Sequence, residues 1–387
     1  MMKKNDFSKL FAEFFESEKT GGMLLIFSTV FSLLAANFLI GQDYIDFWHK
    51  YADLSFFGLE LKYSIQHWIN DGLVAVFFLL IGLEIERELY AGELSSFQKA
   101  SLPVVAAIGG MAAPALIHLF FNYSTPSQAG IGVPMATDIA FALGVLSLIG
   151  GAVPLSLKIF LTAFAIIDDL GAILMIALFY SKGLSTAYLA MAAAVFALLI
   201  VLNRLKVRAV TPYLVMGIIM WYFMLKSGVH ATITGVLLAF AIPFAADGSQ
   251  CPSLRLQHYL HKPVAFFILP LFAAANTAIA LGGGNFSTLL SANSMGIILG
   301  LCLGKPFGVL AFSFAFVSLK ICRLPGDLAW KHILGAGLLG GIGFTMSIFI
   351  ANLAFADPSL IQSSILAVIA ASLLSGLTGF AFFKYFV

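Results

Sequence analysis

Apolar residues run in long blocks along this chain, separated by short stretches where Gly, Pro and charge cluster. A helix that crosses the hydrocarbon core of a bilayer needs about 20 predominantly apolar residues. On that measure the pattern predicts twelve spans, at 20–39, 66–86, 101–121, 131–150, 156–179, 184–203, 210–224, 228–243, 259–280, 293–318, 333–354 and 360–383. The eighth block is the weakest, being short and close behind Lys226. The first block follows a charged leader and sits too far into the chain for a signal peptide. Within that leader, Phe7, Leu10, Phe11, Phe14 and Phe15 recur at helical spacing beside Lys9, Glu13 and Glu16. This predicts an amphipathic segment over 1–19 lying on the inner membrane surface. The one long outside loop, 40–65, carries Gly58 between stretches rich in β-formers, and reads either as a small β-hairpin or as an irregular loop. The fold class is an all-α polytopic membrane protein, a single transmembrane domain over 1–387.

Composition agrees with the pattern. The chain has 387 residues, 60% hydrophobic and 10% charged, against about 25% charged in ordinary soluble domains. A net charge of +2 leaves no basic surface for nucleic acid. Cys251, Cys302 and Cys322 are too irregularly spaced for a disulfide framework or a metal motif, and no cofactor signature occurs. Charge also sets orientation, because cytoplasmic loops carry the Lys/Arg excess. With both termini inside, 15 of the 21 Lys and Arg residues fall on inner segments and four (Lys50, Lys62, Lys182 and Lys226) on outer ones. Lys158 and Lys305 fall within spans.

Four ionisable residues lie deep in the apolar blocks. Asp138 is in Pro134-Met-Ala-Thr-Asp-Ile-Ala, and Asp168 and Asp169 are adjacent in Ala165-Ile-Ile-Asp-Asp-Leu-Gly. Lys305 is in Leu303-Gly-Lys-Pro-Phe. Asp71 and Glu84 sit nearer span ends, and Lys158 is placed to snorkel. A charge at the bilayer centre costs roughly 2.5–3.5 kcal/mol on insertion scales and points to function. Ion pairs that merely hold helices together are the other reading of the same charges. Neighbours on a helix project about 100° apart, so one aspartate of the pair faces a cavity when the other faces a helix. Two carboxylates this close do not ionise independently. Their hard oxygens bind alkali cations and protons alike, and competition between the two is the minimal chemistry of an antiporter.

Two spans carry helix-breaking signals in mid-membrane. The fourth runs Gly130-Ile-Gly-Val-Pro134-Met-Ala-Thr-Asp138, and the eleventh contains Gly340, Gly341 and Gly343 ahead of Phe344-Thr-Met-Ser347. Unwound backbone at this depth persists only where protein or a cavity surrounds it. Ile131-Gly-Val-Pro-Met135 also echoes Ile342-Gly-Phe-Thr-Met346 in a span of opposite direction, a pointer to an inverted-repeat transporter. Close helix packing through small residues is the plainer reading of the glycines. In antiparallel broken helices, like ends of the half-helices meet. Asp138 would then offset the positive pair of ends and Lys305 the negative pair.

These segments resemble the NhaA-type bacterial sodium/proton antiporters. The resemblance rests on Val76-Phe-Phe-Leu-Leu-Ile-Gly-Leu-Glu84, Ala136-Thr-Asp-Ile-Ala-Phe-Ala-Leu-Gly144, Ala165-Ile-Ile-Asp-Asp-Leu-Gly171, Lys226-Ser-Gly-Val-His-Ala-Thr232, Gly304-Lys-Pro306 and Gly340-Gly-Ile-Gly-Phe-Thr-Met-Ser347. It implies a twelve-helix fold whose spans 3–5 and 10–12 form an inverted repeat, with broken, crossing helices at Pro134, Gly341 and Gly343. Asp169 would be the main Na⁺ or Li⁺ ligand, and Asp168 a proton carrier able to pair with Lys305. Thr137 and Asp138 would sit in the crossing. The implied activity is electrogenic, pH-regulated exchange of external protons for internal Na⁺ or Li⁺ in a bacterial cytoplasmic (inner) membrane. The implied partners are the ions, the lipid bilayer and a second copy of the chain, contacted through the 40–65 loop. For the pH response the resemblance points to Glu84, Glu88, His258 and His261. Glu86, Leu254 and Gln257 depart from the family pattern, which has Lys, Lys and Glu at these places.

Other classes fit less well. A cation-coupled symporter would use the same carboxylates. An intramembrane aspartyl protease needs two carboxylates facing each other from different helices, and Asp168 and Asp169 are adjacent on one. A retinal-type pump with Lys305 as Schiff base leaves the aspartate pair unexplained.

Overall fold

The computed structural model describes residues 20–55, 60–149, 153–181, 183–244, 251–281 and 286–386. The amphipathic leader expected over 1–19 lies outside these residues, as does the turn at Gly58. In chain order the helices are α1 (Thr20–Leu39), α2 (Gln42–His49), α3 (Ile65–Tyr90), α4 (Phe97–Asn122), a 3₁₀ segment Pro126–Met135, α5 (Ile139–Ile149), α6 (Leu155–Phe179) and α7 (Thr186–Arg204). They continue with α8 (Val210–Ser227), α9 (Ile233–Ala241), α10 (252–276), α11 (Ala292–Ser318), α12 (Trp330–Gly340), α13 (Phe344–Ala354) and α14 (Pro358–Phe386). The only sheet among the described residues is a hairpin of β1 (Tyr51–Asp53) and β2 (Lys62–Ser64), antiparallel with Ala52 opposite Tyr63. Among the described residues, the 40–65 stretch thus holds a short helix and two paired antiparallel strands.

Eight of these helices are long and apolar enough to cross a membrane, and ten spans result if each of two bent pairs counts as one. The bent pairs are Pro126–Met135 with α5, at 43°, and α12 with α13, at 47°. The two remaining predicted spans fall on α9, nine residues long, and on α10. At about 1.5 Å per residue α9 alone falls far short of a 30 Å core. The first half of α10 is polar, with Arg255, Gln257, His258, His261 and Lys262.

Local signals place the ends. Ser64 caps α3 by accepting from the His67 N–H at 3.2 Å, and Ser291 caps α11 through the Ser294 N–H at 3.3 Å. Helix α8 stops at Gly228, which takes φ +83°, a left-handed conformation that favours glycine.

Among the described residues the chain divides into two compact units, 24–87 with 177–281, and 20–23 with 88–176 and 286–386. In the first, Tyr213, Leu199, Met220, Leu83 and Leu238 form a buried core. There Asn70 and Asn276 exchange side-chain hydrogen bonds of 2.8 and 3.0 Å between α3 and α10. The second unit holds both bent pairs. Its centre is a backbone-to-backbone approach of α4 and α11, where a β-carbon on Gly308 would strike the Gly109 carbonyl, and one on Gly109 the Gly308 carbonyl. Small residues at such crossings let helices pack without a hydrophobic driving force. Further along α11, Gly304 lies against the Pro114 backbone and Gly300 against Pro134, so the same contact seats the first broken helix.

Gly308→Ala is therefore expected to lower the thermal midpoint of the detergent-purified protein by several degrees, an overpacking cost of about 1–3 kcal/mol. Gly376→Ala is the control. Its added carbon meets only side-chain atoms of Ile342 and Val145, at 3.7 and 3.9 Å, and the midpoint should stay near wild type.

Candidate functional site

The site forms where the two bent pairs meet inside the second unit. Both helices lose their regular bonding at this level, between Met135 and Ile139 in one and between Gly340 and Phe344 in the other. Each break frees carbonyls at the end of one half-helix and amides at the start of the next. In a membrane those groups need protein partners, and the two broken segments supply them to each other. The Asp138 N–H donates to the Ile342 carbonyl at 2.7 Å, and the Thr137 hydroxyl to the Gly340 carbonyl at 2.8 Å. The Ser347 hydroxyl donates to the Val133 carbonyl at 2.6 Å.

The glycines act through space. Gly341 and Gly343 have ordinary negative φ, −68° and −89°. A β-carbon on Gly341 would lie 2.5 Å from the Leu301 carbonyl oxygen, and one on Gly343 3.0 Å from that of Ala136. Close approach of backbones, not left-handed geometry, explains these residues. Pro134 stands one residue before the first break, packed on Gly300.

Asp138 caps two helices at once. Its Oδ1 accepts the Phe141 N–H of α5 at 2.9 Å, the ordinary N-cap bond. Its Oδ2 accepts both the N–H and the hydroxyl of Thr345 in α13, at 3.1 and 2.5 Å. The carboxylate is 3% exposed and faces two positive helix ends.

Lys305 serves the opposite ends. It follows a π-turn, Gly300–Gly304, and precedes Pro306, which has no N–H to continue the ladder. The side chain is fully buried. Its Nζ donates to the Met135 carbonyl, the last of the first half-helix, and to Asp168 Oδ2 at 2.6 Å. The ammonium also lies 5.8 Å from the centre of the Phe164 ring. Asp168 is fully buried, with Thr137 as a second, weaker polar neighbour. Asp169, 2% exposed, projects from the next position of α6 within electrostatic reach of Lys305. Thr137, Asp138, Asp168, Asp169 and Lys305 are thus gathered at one level of one unit. No group of three or more His, Cys, Asp or Glu side chains placed to hold a metal ion occurs among the described residues. A cation at Asp168 and Asp169 would draw its other ligands from hydroxyls and carbonyls.

The residues tied by resemblance to pH response lie elsewhere. Glu84 is buried on α3, and His258 and His261 lie on α10, His258 exposed and His261 half-buried beside Arg87. These belong to the first unit, whereas Glu88 belongs to the second, where its Oε2 accepts the Glu93 N–H at 2.9 Å. Glu86 accepts a 2.6 Å bond from the Ser253 hydroxyl, joining the end of α3 to the start of α10. Gln257 is buried nearby on α10, and Leu254 half-buried. Sequence reasoning missed Ser253, Thr345 and Ser347 as partners. Thr345 and Ser347 lie in the Gly340–Ser347 motif, and nothing in their spacing marks them as partners of the other broken helix.

A family described as Na⁺/H⁺ antiporter 1 matches residues 12–383. A protein named Na(+)/H(+) antiporter NhaA 1 in Flavobacterium johnsoniae is 58% identical over 378 residues, which cover 98% of this chain and 97% of that one. The Na(+)/H(+) antiporter NhaA of Dechloromonas aromatica is 58% identical over 383 residues, covering 98% and 96%. That of Shewanella oneidensis is 49% identical over 375 residues, covering 96% of each. With the family matched across nearly its whole length, this chain belongs to the Na⁺/H⁺ antiporter 1 family.

Proposed function

We propose that the protein exchanges Na⁺ or Li⁺ for protons across the bacterial inner membrane, by alternating access at Asp168 and Asp169. The observation that carries this reading is the Lys305 ammonium, held between the Met135 carbonyl and Asp168 with Asp169 beside it. A cation arriving at Asp169 meets a second carboxylate already engaged by a movable positive charge. Protons on the two aspartates exclude the cation, and a bound cation expels the protons. The Lys305 ammonium competes for Asp168 in the same way. Asp169 serves as main ligand and Asp168 as proton carrier. Thr137 adds a hydroxyl oxygen, its own proton being directed to Gly340. Asp138, whose two oxygens already accept amide and hydroxyl donors, acts as a fixed counter-charge. Moving more protons than cations per cycle makes the exchange electrogenic.

The wider architecture follows the same reading. Helices α9 and α10 complete twelve spans, and spans 3–5 and 10–12 form an inverted repeat with the two bent pairs at corresponding places. Both termini are cytoplasmic, as the bias of 15 of the 21 basic residues toward inner segments favours. The hairpin, with Tyr51 72% exposed, is offered to a second copy in a homodimer. Regulation by pH runs through Glu84, Glu88, His258 and His261, histidine being the side chain that titrates near neutrality.

In everted vesicles carrying a pH gradient, adding Na⁺ or Li⁺ is expected to collapse the gradient at some pH between about 6.5 and 9. Asp169→Asn should abolish the response while leaving the protein in the membrane. A wild type silent throughout that range contradicts the reading. The combined Leu254→Lys and Gln257→Glu substitutions should move the midpoint of the pH–activity curve by about one unit, the scale on which a new neighbouring charge shifts a titrating group. An unmoved midpoint removes this part of α10 from the regulatory apparatus.

A further inference from the structure

The amides at the start of α13 are shared between two helices, and only one of these is the other broken helix. Asp138 takes the Thr345 N–H. The Phe344 N–H, the first of the half-helix, donates instead to the Ser372 hydroxyl of α14 at 3.2 Å. Ser372 is 2% exposed, so no solvent replaces it. The neighbouring turns of α14 follow the break at helical spacing. Ser375 abuts Gly341, where a β-carbon would lie 2.6 Å from its Oγ, and Gly379 abuts Leu339. Ser372, Ser375 and Gly379 fall on one face of α14, and that face touches the interrupted backbone from Leu339 to Phe344.

We propose that Ser372 is a positioning residue for the cation site, resting on the exchange reading above. It holds the first amide of α13 and thereby fixes where Thr345 presents its N–H and hydroxyl to Asp138. Asp138 is joined in sequence to Thr137, the polar neighbour of Asp168. Removing the Ser372 hydroxyl leaves the Phe344 N–H without a partner in a dry site. Asp138 already accepts the next amide, that of Thr345, so a change in where α13 begins shifts that carboxylate and moves Thr137 with it. The consequence falls on cation affinity and not on the amount of folded protein. Nothing in the sequence singled out Ser372, since serine is ordinary in membrane helices and its acceptor role depends on a helix break 28 residues away.

The test compares wild type, Ser372→Ala, Ser372→Cys and Ser375→Ala in everted vesicles, with each variant's membrane content measured. Ser372→Ala should raise the KM for Na⁺ by about 3–10-fold, matching the usual net worth of one hydrogen bond, with the maximal rate near wild type. Ser372→Cys, of similar volume but a weak acceptor, should shift KM in the same direction and serves if the alanine variant does not reach the membrane. Ser375→Ala, whose hydroxyl donates only to the Cys302 thiol among the described residues, at 3.6 Å, should leave KM unchanged. A KM unmoved in both Ser372 variants, or raised equally by Ser375→Ala, overturns the assignment. Hydrogen exchange of the purified protein gives a readout independent of transport. The peptide holding the Phe344 amide should exchange faster in the Ser372 variants and not in Ser375→Ala, and equal protection in all overturns the proposal. A wild type without any Na⁺ response sinks the exchange reading alone, since the exchange measurement still decides the role of Ser372.

Discussion

A helix interrupted inside a bilayer exposes amides and carbonyls that neither water nor lipid can satisfy, and the second unit is organised around that constraint. Two interrupted helices meet so that each supplies what the other lacks. One carboxylate, Asp138, serves the amide ends of both, one oxygen to each. On the carbonyl side the work is divided, with Lys305 on Met135 and the Thr137 hydroxyl on Gly340. These groups fix the crossing without forming a continuous helix, so the backbone there can be rearranged at the expense of a few hydrogen bonds.

The position of Lys305 is what turns this structural arrangement into chemistry. The ammonium reaches the Met135 carbonyl from α11, which lies backbone-to-backbone against α4 at Gly109 and Gly308 and carries a π-turn ahead of Pro306. The same ammonium reaches Asp168. A group that offsets a helix end and also pairs with a candidate ligand links the two: a cation that alters the Asp168–Lys305 pair alters the support of the broken helix. A buried ion pair contributes little net stability, because the desolvation of both partners offsets their attraction. Its presence at this place is better explained by that linkage than by stability.

Much of this was legible in the sequence, because charges in apolar blocks are few and each must be explained. Asp138, Asp168, Asp169 and Lys305 stand out on that ground, and the interruptions near Pro134 and Gly341 show in the runs of glycine and proline. The glycines are legible both as breakers and as sites of close packing, and their geometry answers to the second, through crowding by Leu301 and Ala136. Thr345, Ser347, Ser372 and Ser253 were not legible, since a serine or threonine in a membrane helix usually bonds its own preceding turn. Only three-dimensional neighbours distinguish the exceptions. Spans are legible where a block is long and uniformly apolar. They are least so at α9 and α10, where a nine-residue helix and a polar first half replace the expected block. The bond between Glu86 and Ser253 gives one of the departures from the family pattern a structural partner that no spacing rule would have found.

If a cation and protons compete for the carboxylates beside Lys305, the competition can be read directly. Adding Na⁺ to the purified protein in weakly buffered detergent solution, at a pH where exchange is active, measures this competition without a membrane gradient. Protons should be released as Na⁺ binds, saturably, and Asp169→Asn should release none. Na⁺ binding by the wild type without proton release would contradict this competition.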